Sequence, residues 1–173
     1  MRRLIFAVLL LLVPDHAHAI KVGEKAPDFA LTDVFGKAYS LASFTRPVLA
    51  VWYEGKASLE QNKWLKEQIS ELRKQGRLND ENYDGIGIAN YQETAIPNAL
   101  IDIFIKKEAR TNKVRVLSDR DGRMRRIWGF RNGRSNVYLF DAQRRLVWRS
   151  SGPLTKVRAK QYLRLLLRMT RKR

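Results

Sequence analysis

The chain contains no cysteine and only two histidines, His16 and His18. The missing cysteine removes thiol redox cycling, cysteine nucleophiles and thiolate metal sites together. Both histidines stand in a stretch that reads as a leader. Arg2 and Arg3 form its basic start, Leu4 to Val13 an apolar run, Pro14 a break, and Ala17-His18-Ala19 a small-x-small cleavage pattern. The apolar run falls short of the roughly 20 residues that a membrane-spanning helix needs. Cleavage after Ala19 is expected, with an uncleaved anchor as the alternative; the residues flanking the paired arginines do not suit a twin-arginine signal. A chain starting at Ile20 has neither imidazole nor thiol, which excludes Ser–His and Cys–His catalysis and the usual zinc ligand sets. It also lacks the disulfides common in exported proteins, so packing alone must hold the fold. Residues 20–173 suffice for one domain, since domains of about 150 residues bury roughly 68–70% of their unfolded surface.

Acidic residues are scarce. Lys and Arg number 34 against 17 Asp and Glu, a formal charge of +17, and losing Arg2, Arg3 and Asp15 with the leader changes that balance by a single unit. A positive field of this size favours anionic partners. For an exported protein these are lipid headgroups, polyanionic glycans or acidic proteins before nucleic acid. Solubility together with a lineage that favours Arg accounts for the same composition.

Long apolar runs are also few beyond the leader, and the most informative is Val48-Leu49-Ala50-Val51-Trp52-Tyr53. Its length and composition predict a strand buried on both faces, as in the middle of a parallel sheet. The spacing of Ser58 and Gln61 predicts a capping box, with Leu65, Ile69 and Leu72 along one helical face and Gly76 as the stop. Before this unit, Val22 to Phe44 reads as two short strands around Asp33 to Gly36. After it come a polar loop from Arg77 to Tyr83, a strand at Ile86 to Ala89, and a helix from Pro97 to near Arg110 with Ala99, Leu100, Ile103 and Phe104 as its apolar face. A strand at Val114 to Leu117 follows, then Asp119 capping a short Arg-rich helix that ends near Trp128-Gly129. Val137 to Phe140 and Leu146 to Arg149 form a hairpin around Asp141 to Arg145. Thr155 caps a last amphipathic helix, Lys156 to Met169. Strands alternating with helices before a closing hairpin predict an α/β fold with a mixed central sheet, helices on both faces and an N-terminal β-hairpin extension.

The segment GEKAPDFALTDVFGKAYSLASF resembles the opening of peroxiredoxin-like and TlpA-like thioredoxin-fold proteins, which share Gly-x-x-Ala-Pro-x-Phe. The segment SNVYLFDAQRRLVWRSSG is similar to their hairpin. Tyr83, Ala95-Ile96-Pro97, Asp119 with Gly122, Trp128, Ser135, Asp141 and Gly152-Pro153-Leu154-Thr155 together resemble the YtfJ-like family, exported members of the thioredoxin superfamily. The resemblance covers most of Gly23 to Leu167 and implies a thioredoxin-like fold. It also implies where a redox site would lie. An overlay puts Ala57 and Glu60 at the positions of the TlpA-like cysteines, and Ser135 where redox members carry a cis-proline. A trans peptide is expected at Ser135, because a non-proline cis bond costs about 2.5–4 kcal/mol.

Several groups remain as candidates. The helix N-terminus predicted at Ala57-Ser58-Leu59, with Lys56 beside it, suits an anion, although an ordinary capped helix has the same sequence. Glu54 and Glu60 flank that turn and invite acid–base chemistry if burial raises one of them; surface glutamates are the plainer reading. Ser118 to Gly122 resembles part of a calcium loop, but Leu117 and Trp128 fall on the first and last ligand positions, so a helix cap is expected. Arg120, Arg123, Arg125, Arg126, Arg131 and Arg134 interleave with Trp128 and Phe130. Arginine forks suit carboxylate and phosphate, and the aromatics could stack on bases or sugars, unless Ile127, Trp128 and Phe130 are core. On the last helix, Leu163, Leu166 and Leu167 oppose Lys160, Arg164 and Arg168; they pack on the sheet or let the helix touch an anionic membrane.

The expectation is an exported, non-catalytic binding protein with an anionic partner, an envelope component or an acidic protein, and with no cofactor or metal site. Two alternatives stay open: a non-thiol enzyme using Glu54, Glu60 or a tyrosine, and a nucleic-acid-binding regulator, which export would disfavour.

Overall fold

A computed structural model describes residues 19–112 and 114–171; the expected leader, as far as residue 18, lies outside the described residues. The expected hairpin is β1 (Ala30–Asp33) paired antiparallel with β2 (Ala38–Ser40). Asp33 Oδ1 accepts from the Phe35 and Lys37 amides at 2.9 and 3.0 Å, and Gly36 takes φ +88°. An aspartate that gathers two turn amides closes its turn from local chemistry alone.

The apolar run becomes β3 (Val48–Glu54), buried at every residue. Helix α1 (Lys63–Lys74) leads to β4 (Tyr83–Asn90), and α2 (Asn98–Asn112) to β5 (Arg115–Asp119). The short α3 (Arg123–Trp128) precedes the hairpin β6 (Asn136–Phe140) and β7 (Leu146–Ser151), and α4 (Lys156–Thr170) closes the chain. One seven-stranded sheet results, in the order β2-β1-β5-β4-β3-β6-β7. Its β3, β4 and β5 run parallel and the remaining pairings are antiparallel. The sheet is therefore mixed, as predicted.

Alternation along β3 divides the core between the two faces. Leu49, Val51 and Tyr53 pack with Met124 and Trp128 of α3 and with Phe29 and Phe44. Val48, Ala50 and Trp52 pack with Leu65 and Ile69 of α1 and with Ala159, Tyr162 and Leu166 of α4. Helices on both faces follow directly.

Three expectations need correction. Helix α1 begins at Lys63, and residues 56–62 form successive turns, so no capping box opens at Ser58. The Ser58 hydroxyl instead accepts from the Gly55 amide at 3.0 Å and donates to the Gly55 carbonyl at 3.2 Å. On α2 the buried residue is Ile105, with Ile101 partly buried beside it, whereas Leu100, Ile103 and Phe104 face outward. On α4 the buried stripe is Ala159, Tyr162, Leu166 and Thr170; Leu163 is half-buried against the core, and packing on the sheet is the role of this face.

Tyr162 is fully buried, edge-on to Trp52 and Trp148, and its hydroxyl has no hydrogen-bond partner among the described residues. An unpaired buried hydroxyl costs about 1–3 kcal/mol. Tyr162→Phe should accordingly raise the unfolding free energy by about 1 kcal/mol, read as a higher denaturant midpoint at unchanged slope. A lower midpoint would show that the hydroxyl is satisfied after all.

Candidate functional site

Strand directions bring five loops to one edge of the sheet. β3, β4 and β5 end there, at Glu54, Asn90 and Asp119, while antiparallel β6 starts there and β7 ends there. In open α/β sheets the carboxyl edge of the parallel strands is where ligands bind. Ala57, Glu60 and Ser135, the positions that the resemblance implied for a redox site, belong to these loops.

At the centre of the edge is a buried carboxylate. Glu54 is 8% exposed; its Oε2 takes a proton donor from Lys66 Nζ at 2.6 Å, and its Oε1 accepts from the Ser135 hydroxyl at 2.5 Å. Burial pushes the Glu54 carboxyl above its usual range, and Lys66 and Ser135 pull against that shift. Lys66 also donates to the Leu59 carbonyl at 2.9 Å and sits 5.6 Å from the centre of the Trp52 ring. Ser135 is fully buried, and no cis peptide occurs among the described residues, as expected for a serine at this position. Neither the Ser135 hydroxyl nor Glu54 lies open to a substrate in this arrangement. Glu60, the other proposed acid–base group, is exposed and pairs with Lys63 at 3.2 Å. The structure does not make a carboxylate pair of Glu54 and Glu60.

Side-chain amides staple the loops around this centre. Gln61 donates to the Gly133 carbonyl and accepts from the Ser135 amide, both at 2.9 Å. Asn62 donates to the Gly152 carbonyl at 3.1 Å and accepts from the Leu154 amide at 2.9 Å. Glu93 Oε1 accepts from the Gly133 amide at 2.8 Å and from Asn90 Nδ2 at 3.1 Å. Its other oxygen lies 1.9 Å from where a side chain at Gly55 would begin, so any larger residue there would displace Glu93. Of these residues, the sequence reading noted Gln61 as a cap and missed Lys66, Asn62 and Glu93. Only Gln61-Asn62, two amides where a helix should start, offered a hint, because Ser and Asp are as common at that place.

The N-cap residue of α3 is Gly122, and Asp119, three residues before it, supplies the acceptor for the first amides of the helix. The Asp119 carboxylate accepts from the Arg123 amide at 2.8 Å, the Met124 amide at 3.1 Å and the Tyr53 hydroxyl at 3.0 Å. Burial drives both the Asp119 carboxyl and the Tyr53 hydroxyl upward. The calcium-like pattern is thus a helix cap whose oxygens are already engaged.

The six arginines separate into two groups. Arg120 donates from a single nitrogen, Nη2, to both Asp102 oxygens at 2.7 and 2.8 Å and lies 4.8 Å from the centre of the Tyr91 ring. Burial works to raise the Asp102 carboxyl, but the Tyr91 hydroxyl and the Arg120 guanidinium outweigh it and hold it below the usual range. Arg126 donates to the Asp121 carbonyl at 2.8 Å and approaches its carboxylate at 3.8 Å. Arg123, Arg131 and Arg134 are exposed and Arg125 is half-buried; among the described residues none of the four has a carboxylate within ion-pair distance. Lys56 is exposed at the same edge, whereas Ser58 is fully buried with its hydroxyl held by Gly55 and no helix N-terminus at it, so it cannot meet an anion. Trp128 and Phe130 are core at 0% and 3% exposure. They cannot stack on bases or sugars.

No family model matches the chain, and no curated protein matches it. Solved structures do. Peroxidoxin BcpB from Mycobacterium tuberculosis is 18% identical with a TM-score of 0.64, covering 88% of this chain and 99% of that one. The exposed lipoprotein thioredoxin of Streptococcus pneumoniae is 17% identical with a TM-score of 0.59, covering 81% and 98%. Thiol peroxidase from Chromobacterium violaceum is 13% identical with a TM-score of 0.63, covering 87% and 88%. At these identities the likeness is one of fold, and it agrees with the strand order and the edge just described: the chain has a thioredoxin-like fold, built without the cysteine that thiol chemistry requires.

Proposed function

We propose that the protein is an exported, YtfJ-like binding protein that has kept the thioredoxin scaffold for recognition in place of catalysis. Its partner is anionic, an envelope component or an acidic protein, and is met by Arg123, Arg125, Arg131 and Arg134 with Lys56. The observation that carries this reading is the set of four arginines with no carboxylate partner among the described residues, at the edge where such folds bind ligands. A guanidinium left unpaired by its own fold is free to make forked contacts with carboxylate or phosphate. The stapled loops support recognition in a second way, since a surface fixed in advance loses less entropy on binding.

Retention on an immobilised polyanion at low salt, with release as salt rises, tests the reading. Changing the four arginines together to alanine should weaken binding by about tenfold or more at roughly 0.1 M salt. Changing Lys156, Lys160, Arg164 and Arg168 on α4 instead should cost far less. Equal losses would reduce the effect to net charge and overturn the assignment to this edge.

A further inference from the structure

Helix α2 is apolar on two sides. Ile101 and Ile105 pack toward Val34, Tyr91 and Val116. On the other side Leu100, Ile103 and Phe104 are 57%, 66% and 52% exposed, at the i, i+3, i+4 spacing that makes one continuous stripe. Single exposed apolar residues are ordinary, whereas a contiguous stripe marks a contact surface. The charges around it are mostly positive. Lys106, Lys107 and Arg110 follow on the next turns, and Asp102 is neutralised by Arg120, whose Nη2 donates to both of its oxygens. Glu108 has interactions of its own.

These features select the occupant. Side chains more than half exposed form a protruding ridge, which suits insertion into a soft interface better than the grip of a groove. The cationic border calls for negative charge opposite, and the formal charge of +17 opposes a second copy of this chain. An anionic bilayer meets both demands, because its acyl boundary accepts the ridge and its headgroups pair with the lysines and arginine. We propose that α2 is a membrane-contact helix that seats Leu100, Ile103 and Phe104 at the headgroup boundary of an anionic bilayer. The inference rests on the anionic-partner reading and names that partner as lipid. It also moves the membrane contact from α4, whose apolar face is spent on the core, to α2.

The absence of cysteine allows a direct test. Ile103→Cys and Val157→Cys, each in the full chain, are labelled with an environment-sensitive fluorophore; Val157 is 67% exposed on α4 and serves as the control. With phosphatidylglycerol–phosphatidylcholine vesicles the label at 103 should shift to the blue and the label at 157 should not. With phosphatidylcholine alone neither should shift. The stretch Leu4 to Val13 is common to all variants, so the position of the responding label reads the contact, independently of binding as such. Adding Leu100→Ser and Phe104→Ser should abolish the response at the remaining labelled position. A shift at 157 without one at 103 overturns the proposal in favour of α4. No shift at either label, with retention on a soluble polyanion intact, overturns lipid contact while the anionic-partner reading stands; loss of both overturns both. A concentration-dependent dimer that the serine changes abolish assigns the ridge to a second copy and likewise overturns it.

Discussion

Trp128→Ala is expected to lower the unfolding free energy by about 3–5 kcal/mol, the range for emptying a buried large aromatic site. Domains of this kind are stable by about 5–15 kcal/mol in total, so the variant should be partly unfolded at room temperature if the protein lies toward the lower end. Trp128 is fully buried with Phe29, Phe130 and Phe140 around it at ring distances of 5.7, 5.7 and 5.1 Å. Its indole N–H donates to the Pro27 carbonyl at 2.9 Å, tying the N-terminal segment to α3. The alanine variant therefore loses packing, a hydrogen bond and an anchor between segments 101 residues apart. Trp128→Phe keeps most of the ring volume and should cost clearly less. Denaturant unfolding followed by circular dichroism measures both. If Trp128→Ala retained full stability and lost only binding, the residue would be a recognition surface and its place in the core would be wrong.

Lys66→Met should cost about 2–3 kcal/mol near neutral pH. Removing one partner of a buried ion pair costs more when both are sealed, but here the Lys66 side chain is 35% exposed. The Glu54 carboxylate then keeps only the Ser135 hydroxyl. Its pH dependence has a definite sign. Burial raises the carboxyl in the folded protein above its ordinary value of 4.5. The folded state thus holds this proton more tightly than the unfolded chain. Its contribution to stability is complete below about pH 4.5 and is lost as pH rises through the folded value. Without Lys66 the folded value rises further, so the deficit of Lys66→Met should shrink on acidification. Asp119 is shifted in the same direction, which makes the difference between variants, and not the raw profile of one protein, the quantity to measure. Glu54→Gln together with Lys66→Met should erase that pH-dependent difference and recover part of the stability. A deficit for Lys66→Met that stays constant from about pH 4 to pH 7 would show that Glu54 does not titrate in the folded protein over that range.

Features set by a few neighbouring residues were legible in the sequence. The six-residue apolar run became a strand buried on both faces, and the aspartates at 33, 119 and 141 each gather nearby backbone amides. Thr155 caps α4 by accepting from the Arg158 amide at 3.3 Å. The missing cysteine settled the question of thiol chemistry before any coordinates were needed.

Where local signals had competitors, the tertiary structure decided. Ser58 and Gln61 have the spacing of a capping box, yet Ser58 turns back on Gly55 and Gln61 reaches a loop 72 residues away. On α2 two apolar faces compete, and only contact with Val34, Tyr91 and Val116 selects the one that is buried. The Glu54–Ser135 bond joins residues 81 apart and exists because β3 and β6 pair in a register that sets Tyr53 opposite Asn136. The sequence by itself determined the strands, the turns, the amide-gathering roles of Asp119 and Thr155 and the absence of a thiol, because each depends on composition, hydrogen bonds or periodicity within a few residues. Only the folded chain decided that the carboxyl edge of the parallel strands holds the buried Glu54 carboxylate, since burial and charge at that edge are set by loops that strand pairing brings together from distant parts of the sequence.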